Sequence, residues 1–248
     1  MEDMERYGDY NEIDDEPAEG KARIVGIVIK VLIGIVCAAV IGIVAFRITL
    51  FNTYPDEVSR LIFSDSLTEY YNENGGEISA YTQDPGNLRY DDPDEGNFFF
   101  DKLVLVPGAD HLQVTVRYNT SLMGAIKAKY GVELDPDADP ADIFEFKLVK
   151  TETGYTPPEG GTSAAVPVEA VGEQSVYHAS SSLMYRYARV GFDGVDLGLD
   201  EGEEPVSWLR LDIYIKGVEM TAPYSLPVYQ SSLELIEYNL SAKEAPQE

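Results

Sequence analysis

The sequence IVGIVIKVLIGIVCAAVIGIVAF, residues 24–46, decides how the rest of the chain is organised. This stretch of 23 residues contains one charged side chain, Lys30. A helix of that length extends about 35 Å, enough to cross a hydrocarbon layer of about 30 Å with some tilt. We therefore expect one transmembrane helix that contacts the lipid bilayer, preceded by a tail over 1–23 and followed by a separate domain.

The basic residues beside this span predict its orientation. Lys21, Arg23 and Lys30 stand at the N-terminal end, whereas only Arg47 directly follows the span. Basic residues close to a span stay on the cytoplasmic side, and nearby acids have little effect. We therefore predict a single-pass protein of the cell membrane with a cytoplasmic N-terminus and an extracytoplasmic C-terminal domain.

A cleaved signal peptide is the main alternative to an anchor. Its apolar region would have about 7–15 residues and end in small residues at a cleavage site. Here the run is longer, and no such site precedes a mature start. A lipoprotein processed at Cys37 is disfavoured because Val36 stands where a small residue is expected.

Every fourth position of the span is small, apart from one lysine, along the series Gly26, Lys30, Gly34, Ala38 and Gly42. Residues four apart share one face of a helix, and small residues at this spacing let two helices approach closely. The stripe predicts pairing of the span with itself or with another span. Because glycine is common in membrane helices, an anchor without pairing stays the alternative.

The charge of the chain limits its partners. The net charge is −26, and residues 48–248 contribute 35 acidic and 13 basic residues, or −22. Such a field repels nucleic acids and other polyanions, so no nucleic acid is expected to bind. The single cysteine, Cys37, lies inside the span, so the domain must be stabilised by a hydrophobic core without disulfides.

Alternating hydrophobicity predicts that the domain is mainly β. Residues 98–106 form an apolar run, 107–110 a turn, and 112–119 alternate apolar with polar residues, which is typical of a hairpin with one buried face. The same reasoning predicts further strands at 78–83, 144–148, 183–192, 209–215 and one or two within 225–238.

Two short helices and several loops complete the predicted pattern. A helix is expected over 121–130, ended by Gly131, and another over 66–74 before two glycines. Residues 84–97 are acidic and rich in turn formers, and 151–182 are rich in Gly, Pro, Ser and Thr, so both are predicted to be loops, the second mobile. The tails 1–23 and 241–248 are predicted to be disordered.

These elements predict a transmembrane helix and a segment at 47–97, then an antiparallel β-sandwich over 98–240 with one short inserted helix. The architecture expected is immunoglobulin-like, although the cysteine and tryptophan marks of true immunoglobulin domains are absent.

Residues able to perform catalysis are few in this sequence. The domain has no cysteine and two histidines, His111 at the hairpin turn and His178 in the predicted loop, and both are expected at the surface. No catalytic residue and no cofactor are predicted. A pair of carboxylates acting on an extracellular polymer stays open, because 35 acidic residues always allow two to meet.

The best metal candidates are alternating aspartates. Asp135, Asp137, Asp139 and Asp142 have the spacing with which a loop surrounds calcium, but Pro140 and Phe146 stand where the EF-hand pattern has glycine and glutamate. They are therefore weak candidates. The sequence predicts a non-catalytic, membrane-anchored binding or scaffold protein for a protein or cell-surface ligand, and the alternative is an exported carboxylate-dependent hydrolase.

Overall fold

The computed structural model describes residues 16–52, 54–84, 98–152, 169–182, 185–198, 206–220, 223–238 and 240. The predictions made for residues 1–15, for most of the acidic loop at 84–97 and for the C-terminal tail at 241–248 lie outside these residues. The chain divides into two compact units, Met1–Thr53 and Tyr54–Glu248.

The first unit contains one helix, α1, which spans Glu16–Asn52. Its segment Arg23–Thr49 has a mean hydropathy of 3.0 and is long and apolar enough to cross a membrane, as both an anchor and a signal sequence are. The helix begins eight residues before the predicted span. Residues 16–23, expected in a disordered tail, are helical, and their alanines, glutamate, lysine and arginine favour that conformation.

The second unit is built on two antiparallel sheets. The first has six strands in the order β10-β1-β2-β3-β7-β6, and the second has four in the order β5-β4-β8-β9. In chain order the strands are β1 Tyr81–Thr82, β2 Phe98–Val106, β3 His111–Asn119, β4 Phe144–Thr151, β5 Glu169–Ala170, β6 Glu173–Ser182, β7 Tyr185–Asp193, β8 Trp208–Ile215, β9 Tyr224–Gln230 and β10 Ile236–Glu237.

The core lies between the two sheets, where the apolar sides of alternating strands meet. Leu112, Val114 and Val116 of β3 belong to the same buried cluster as Leu211 and Ile213 of β8. Aromatic rings close one end of this core. The ring centroid of Phe98 lies 5.1 Å from that of Phe144, 5.4 Å from that of Tyr118 and 5.3 Å from that of Tyr224.

In the described part of the domain, a 3-10 turn, Pro107–Ala109, joins β2 to β3, and four short α-helices connect or precede the strands: α2 Asp56–Ser59, α3 Asp65–Glu73, α4 Leu122–Tyr130 and α5 Pro140–Ile143. The helices α3 and α4 confirm the two predicted ones. Ser64 caps α3 by accepting a hydrogen bond from the Leu67 amide at 3.1 Å. Gly131 ends α4 with φ of 71°, a left-handed conformation that glycine adopts without strain.

Most predicted strands are confirmed, and three predictions are wrong. The strand predicted over 78–83 contains only Tyr81–Thr82, and α5 is a second inserted helix beside α4. Within the predicted loop at 151–182, residues 153–168 lie outside the described part, but Glu169–Ala170 and Glu173–Ser182 are strands. The two antiparallel sheets fit a β-sandwich, and the immunoglobulin-like arrangement stays a prediction.

Candidate functional site

A segment that we call the strap, residues 54–64, lies across the outer face of the six-stranded sheet. It contains α2, and Val58, Leu61 and Ser64 are buried within it. Three hydrogen bonds attach it at different points: the Ser59 carbonyl accepts from Lys102 Nζ at 2.8 Å, the Val58 carbonyl from Thr115 Oγ1 at 3.1 Å, and Glu57 from Ser180 Oγ at 3.0 Å.

The strap covers a layer of polar side chains. We call it the polar layer, and its members, all on one face of β3 and β7, are His111, Gln113, Thr115, Arg117, Arg189 and Asp193. The first five are at most 2 % exposed. The hairpin predicted to have one buried face therefore has two, one apolar and one polar. His111, expected at the surface, is also buried.

Gln113 is the centre of the polar layer. Its Oε1 accepts from the Ile62 amide at 3.1 Å and from Arg189 Nε at 2.8 Å, and its Nε2 donates to the Ile62 carbonyl and, at 2.8 Å, to His111 Nε2. The side-chain oxygen thus accepts two hydrogen bonds and the side-chain nitrogen donates two, which satisfies the whole amide group. This side chain joins the strap to both β3 and β7.

Arg189 brings a positive charge into this layer. It is fully buried, and its Nη1 donates to Thr115 Oγ1 at 2.6 Å and to the Val58 carbonyl at 3.3 Å. Gly191 provides the space for Gln113, since a Cβ there would lie 2.9 Å from Val176 Cβ and 3.2 Å from Gln113 Cγ. The layer therefore depends on a glycine at this position.

The orientation of Gln113 fixes the protonation of His111. Because His111 Nε2 accepts from Gln113, the ring proton is on Nδ1, which donates to Asp193. Burial lowers the pKa of His111 and nearby Arg189 lowers it further, which outweighs the raising effect of Asp193 and agrees with the neutral ring of this hydrogen-bond pattern. Burial would raise the pKa of Asp193, but hydrogen bonds from Ser66 and His111 outweigh it and lower that pKa.

Serine, histidine and aspartate therefore meet, but in a different order from that of a catalytic triad. In a triad the serine hydroxyl donates to the histidine, whose other nitrogen donates to the carboxylate. Here Ser64 Oγ donates directly to Asp193 Oδ1 at 3.2 Å, and Gln113 occupies the second nitrogen of His111. The arrangement holds the end of the strap, and both ring nitrogens of His111 bond groups other than Ser64.

Tyr54, the first residue of the strap, contacts a second buried pair of charged side chains, Asp101 and Arg117. Tyr54 OH donates to Asp101 Oδ1 at 3.2 Å, and Arg117 Nε lies 3.1 Å from the same oxygen. The Arg117 guanidinium lies 5.3–5.6 Å from the ring centroids of Tyr54, Phe99 and Tyr185. Burial raises the pKa of Asp101 to about 7, because the stabilisation of the carboxylate by Arg117 only partly offsets the loss of solvent.

Asp101 and Asp193 have pKa values shifted in opposite directions, as a pair of catalytic carboxylates would. However, Asp101 contacts Arg117 and Asp193 contacts His111, and these two partners are six positions apart on β3. That separation is about 20 Å along a strand. The two carboxylates therefore do not act on one substrate bond.

The aspartates predicted as weak calcium ligands take part in local contacts. Asp135 accepts from the Asp137 amide at 2.9 Å, Asp139 caps α5 and accepts from Tyr177 OH at 2.7 Å, and Asp137 pairs with Arg186. No group of three metal-ligating side chains occurs among the described residues. Asp142, in the first turn of α5, is exposed.

The structure also places His178 and the small-residue stripe of α1, two further features that the sequence analysis singled out. His178 lies half-buried on β6 rather than in a loop. In the stripe of α1, a Cβ added at Gly26, Gly34 or Gly42 would meet no atom within 4 Å, and pairing through this stripe stays a prediction.

One open depression of about 480 Å³ lies where the strap, β6 and β7 meet. Its lining consists of Phe63, Ser64, Asp65, Ser175, Val176, Tyr177 and Asp193. Two carboxylates and Phe63 border this space, whereas the ring of Tyr177 lies on the opposite face of β6, 6.4 Å from that of Phe146. Cations are the ligands that such a lining favours.

Comparisons with protein-family models, with curated proteins and with solved structures find no match to this chain. The polar layer was not predicted from the sequence. One signal for it is present, since the polar positions of β3 before Asn119 are His, Gln, Thr and Arg, without the Lys and Glu that are common on solvated strands.

Proposed function

We propose that this chain is a single-pass, membrane-anchored scaffold or binding protein whose extracytoplasmic β-domain is non-catalytic. The observation that carries the proposal is the strap. Tyr54 begins a half-buried attachment to the six-stranded sheet only five residues after Thr49, the last residue of the apolar helical segment. The attachment therefore begins close in sequence to the proposed anchor.

The chemistry of the polar layer supports a non-catalytic role. Among the side chains that resemble catalytic groups, Asp193 accepts from both Ser64 of the strap and His111, which is an arrangement that stabilises the fold. The opposite pKa shifts of Asp101 and Asp193 fall on groups that are far apart. The alternative of an exported carboxylate-dependent hydrolase therefore has less support than binding.

The proposal is tested by labelling single cysteines in intact cells. In a Cys37→Ser background, Glu234→Cys tests an exposed position of the domain, and Glu5→Cys tests the N-terminal tail. We expect a membrane-impermeant maleimide to label the first in intact cells and the second only after lysis. The purified protein should also retain its first residues. A mature chain that starts after residue 46, or the reverse labelling pattern, would contradict the proposal.

A further inference from the structure

The strand β6 forms one edge of the six-stranded sheet. Among the described residues it pairs with β7 alone, so within that part of the chain its other edge has no ladder partner. A bulge interrupts its register between Gln174 and Val176, and residues 176–182 are regular. An exposed row of backbone N–H and C=O groups is a template for another strand.

Edge strands usually carry charged residues or proline, or are very short, which prevents such pairing, and the regular part of β6 has none of these three features. The described edges β5 and β10 have two residues each, and β9 contains Pro227, which cannot donate a ladder hydrogen bond. In contrast, residues 174–182 include no Asp, Glu, Lys, Arg or Pro, in a chain where 25 % of residues are charged. Among the four edges of the described sheets, β6 is the longest.

The depression described above lies at the N-terminal end of this edge, since Ser175, Val176 and Tyr177 form part of its wall. Asp65 and Asp193 face the same space, and His111 beside Asp193 is neutral. A lysine or arginine side chain extending from an added strand would meet two carboxylates there. The aromatic ring of Phe63 would contact its aliphatic part.

Charge decides between the two kinds of strand that this edge could accept. A second copy would bring another net charge of −22 from residues 48–248 against the same acidic surface, which is repulsive. An extended basic segment is attracted by that surface. Backbone hydrogen bonds would hold it to β6, and a basic side chain in the depression would set its register.

We propose that residues 176–182 bind an extended, lysine- or arginine-bearing segment of another protein by strand addition, with one basic side chain in the depression between Asp65 and Asp193. This inference deepens the proposed binding function and rests on it. It assigns the interaction surface to one edge of one sheet, and it identifies the partner by chemistry as a basic polypeptide in extended conformation.

The test uses the full chain in phosphatidylcholine nanodiscs, with empty nanodiscs as control. The probe is a fluorescein-labelled decapeptide of alternating lysine and threonine, and fluorescence anisotropy measures its binding at physiological salt. Two matched peptides replace each lysine with glutamate, or each threonine with proline. We expect saturable binding of the lysine–threonine peptide alone, together with slower hydrogen exchange of the amides in 176–182.

Two variants remove one negative charge each and separate the depression from general attraction. Asp65→Asn lies in the depression, whereas Glu234→Gln lies beside β10 at the opposite edge of the sheet. We expect Asp65→Asn to bind the lysine–threonine peptide about threefold more weakly and Glu234→Gln to bind it as the parent chain does. A threefold change corresponds to the loss of one exposed ion pair, about 0.7 kcal/mol.

Several results would overturn the proposal. Equal binding of the proline peptide would show attraction by charge without strand addition. Equal effects of the two variants, or exchange protection outside 176–182, would place the site elsewhere. Protection of 176–182 that rises with protein concentration and needs no peptide would identify a second copy as the occupant. None of these results would contradict the proposed membrane topology. A cleaved N-terminus in the labelling test, in contrast, would contradict the proposed function itself.

Discussion

The side chain of Gln113 bonds the backbone of Ile62 in both directions. The Ile62 amide donates to Gln113 Oε1 at 3.1 Å, and Gln113 Nε2 donates to the Ile62 carbonyl. One side chain thus satisfies both backbone groups of a strap residue, as a neighbouring strand would. The strap is held against the sheet without being one of its strands.

Gln113→Leu should be among the most damaging single changes in the domain. It leaves the Ile62 amide and carbonyl unpaired in a buried site, and it removes one partner each of Arg189 and His111. We expect the free energy of unfolding to fall by about 3 kcal/mol or more. Urea denaturation measures it, and Gln174→Leu, on an exposed part of β6, is the control. Equal costs for the two variants would mean that the strap bonds contribute little.

His111 should make the domain less stable as the pH falls below about 6.5. Its pKa is lowered in the folded state, so the unfolded chain binds the proton first, near the usual value of about 6.5. The free energy of unfolding therefore decreases as pH drops from there towards the lower folded pKa. Between pH 7 and 5.5, we expect His111→Gln to lose less stability than the parent chain. Histidine NMR titration checks the lowered pKa directly.

Asp101 should have the opposite dependence on pH. Its folded pKa of about 7 exceeds the unfolded value, so the folded state binds the proton first and gains stability as pH falls from 8 towards 4. The variant Asp101→Asn lacks this gain. We expect the cost of the substitution to increase as the pH is lowered, by at most about 1.4 kcal/mol per pH unit. A cost that shrinks on acidification would mean that Arg117 dominates and holds the pKa low.

Gly191→Ala should destabilise the domain by about 1–3 kcal/mol, because the new methyl group overlaps Val176 and pushes against Gln113. Gly124→Ala is a matched control, since that glycine lies in α4 with no atom within 4 Å of the added Cβ. Alanine favours helix over glycine, so the control should gain up to about 1 kcal/mol. Thermal melting of both variants should show shifts of opposite sign.

Ile213→Asp tests the inner face of β8. Ile213 is fully buried in the core between the sheets, and an unpaired carboxylate there should cost about 3–5 kcal/mol. Lys150→Asp places the same side chain at an exposed position of the neighbouring strand β4. If both variants express and melt alike, the assignment of the inward face of β8 is wrong.

The parts of the fold that depend on local patterns were predictable. The alternation in β8 and the apolar run in β2 identify their strands, and glycines mark the ends of α3 and α4. The edge strand β6 was missed because serine and alanine have low strand propensity, and pairing with β7 decides its conformation.

The candidate site was not predictable, since alternation on β3 is the same whether water or a strap covers its polar face. The residues that cover Gln113 and Arg189 are 51 and 131 positions away in the chain. A pattern within one strand carries no information about a contact over that distance.

The strap also sets the order in which this protein can complete its fold during synthesis. Its residues are synthesised early. However, Ser64 bonds Asp193, which is 129 positions later in the chain, and Val58 bonds Arg189, which is 131 positions later. Contacts of such long range form slowly, and domains made from the N-terminus need their last partners to be present. The strap therefore leaves the ribosome well before the strands that secure it, and the segment beside the apolar helix is among the last parts of the domain to become fixed.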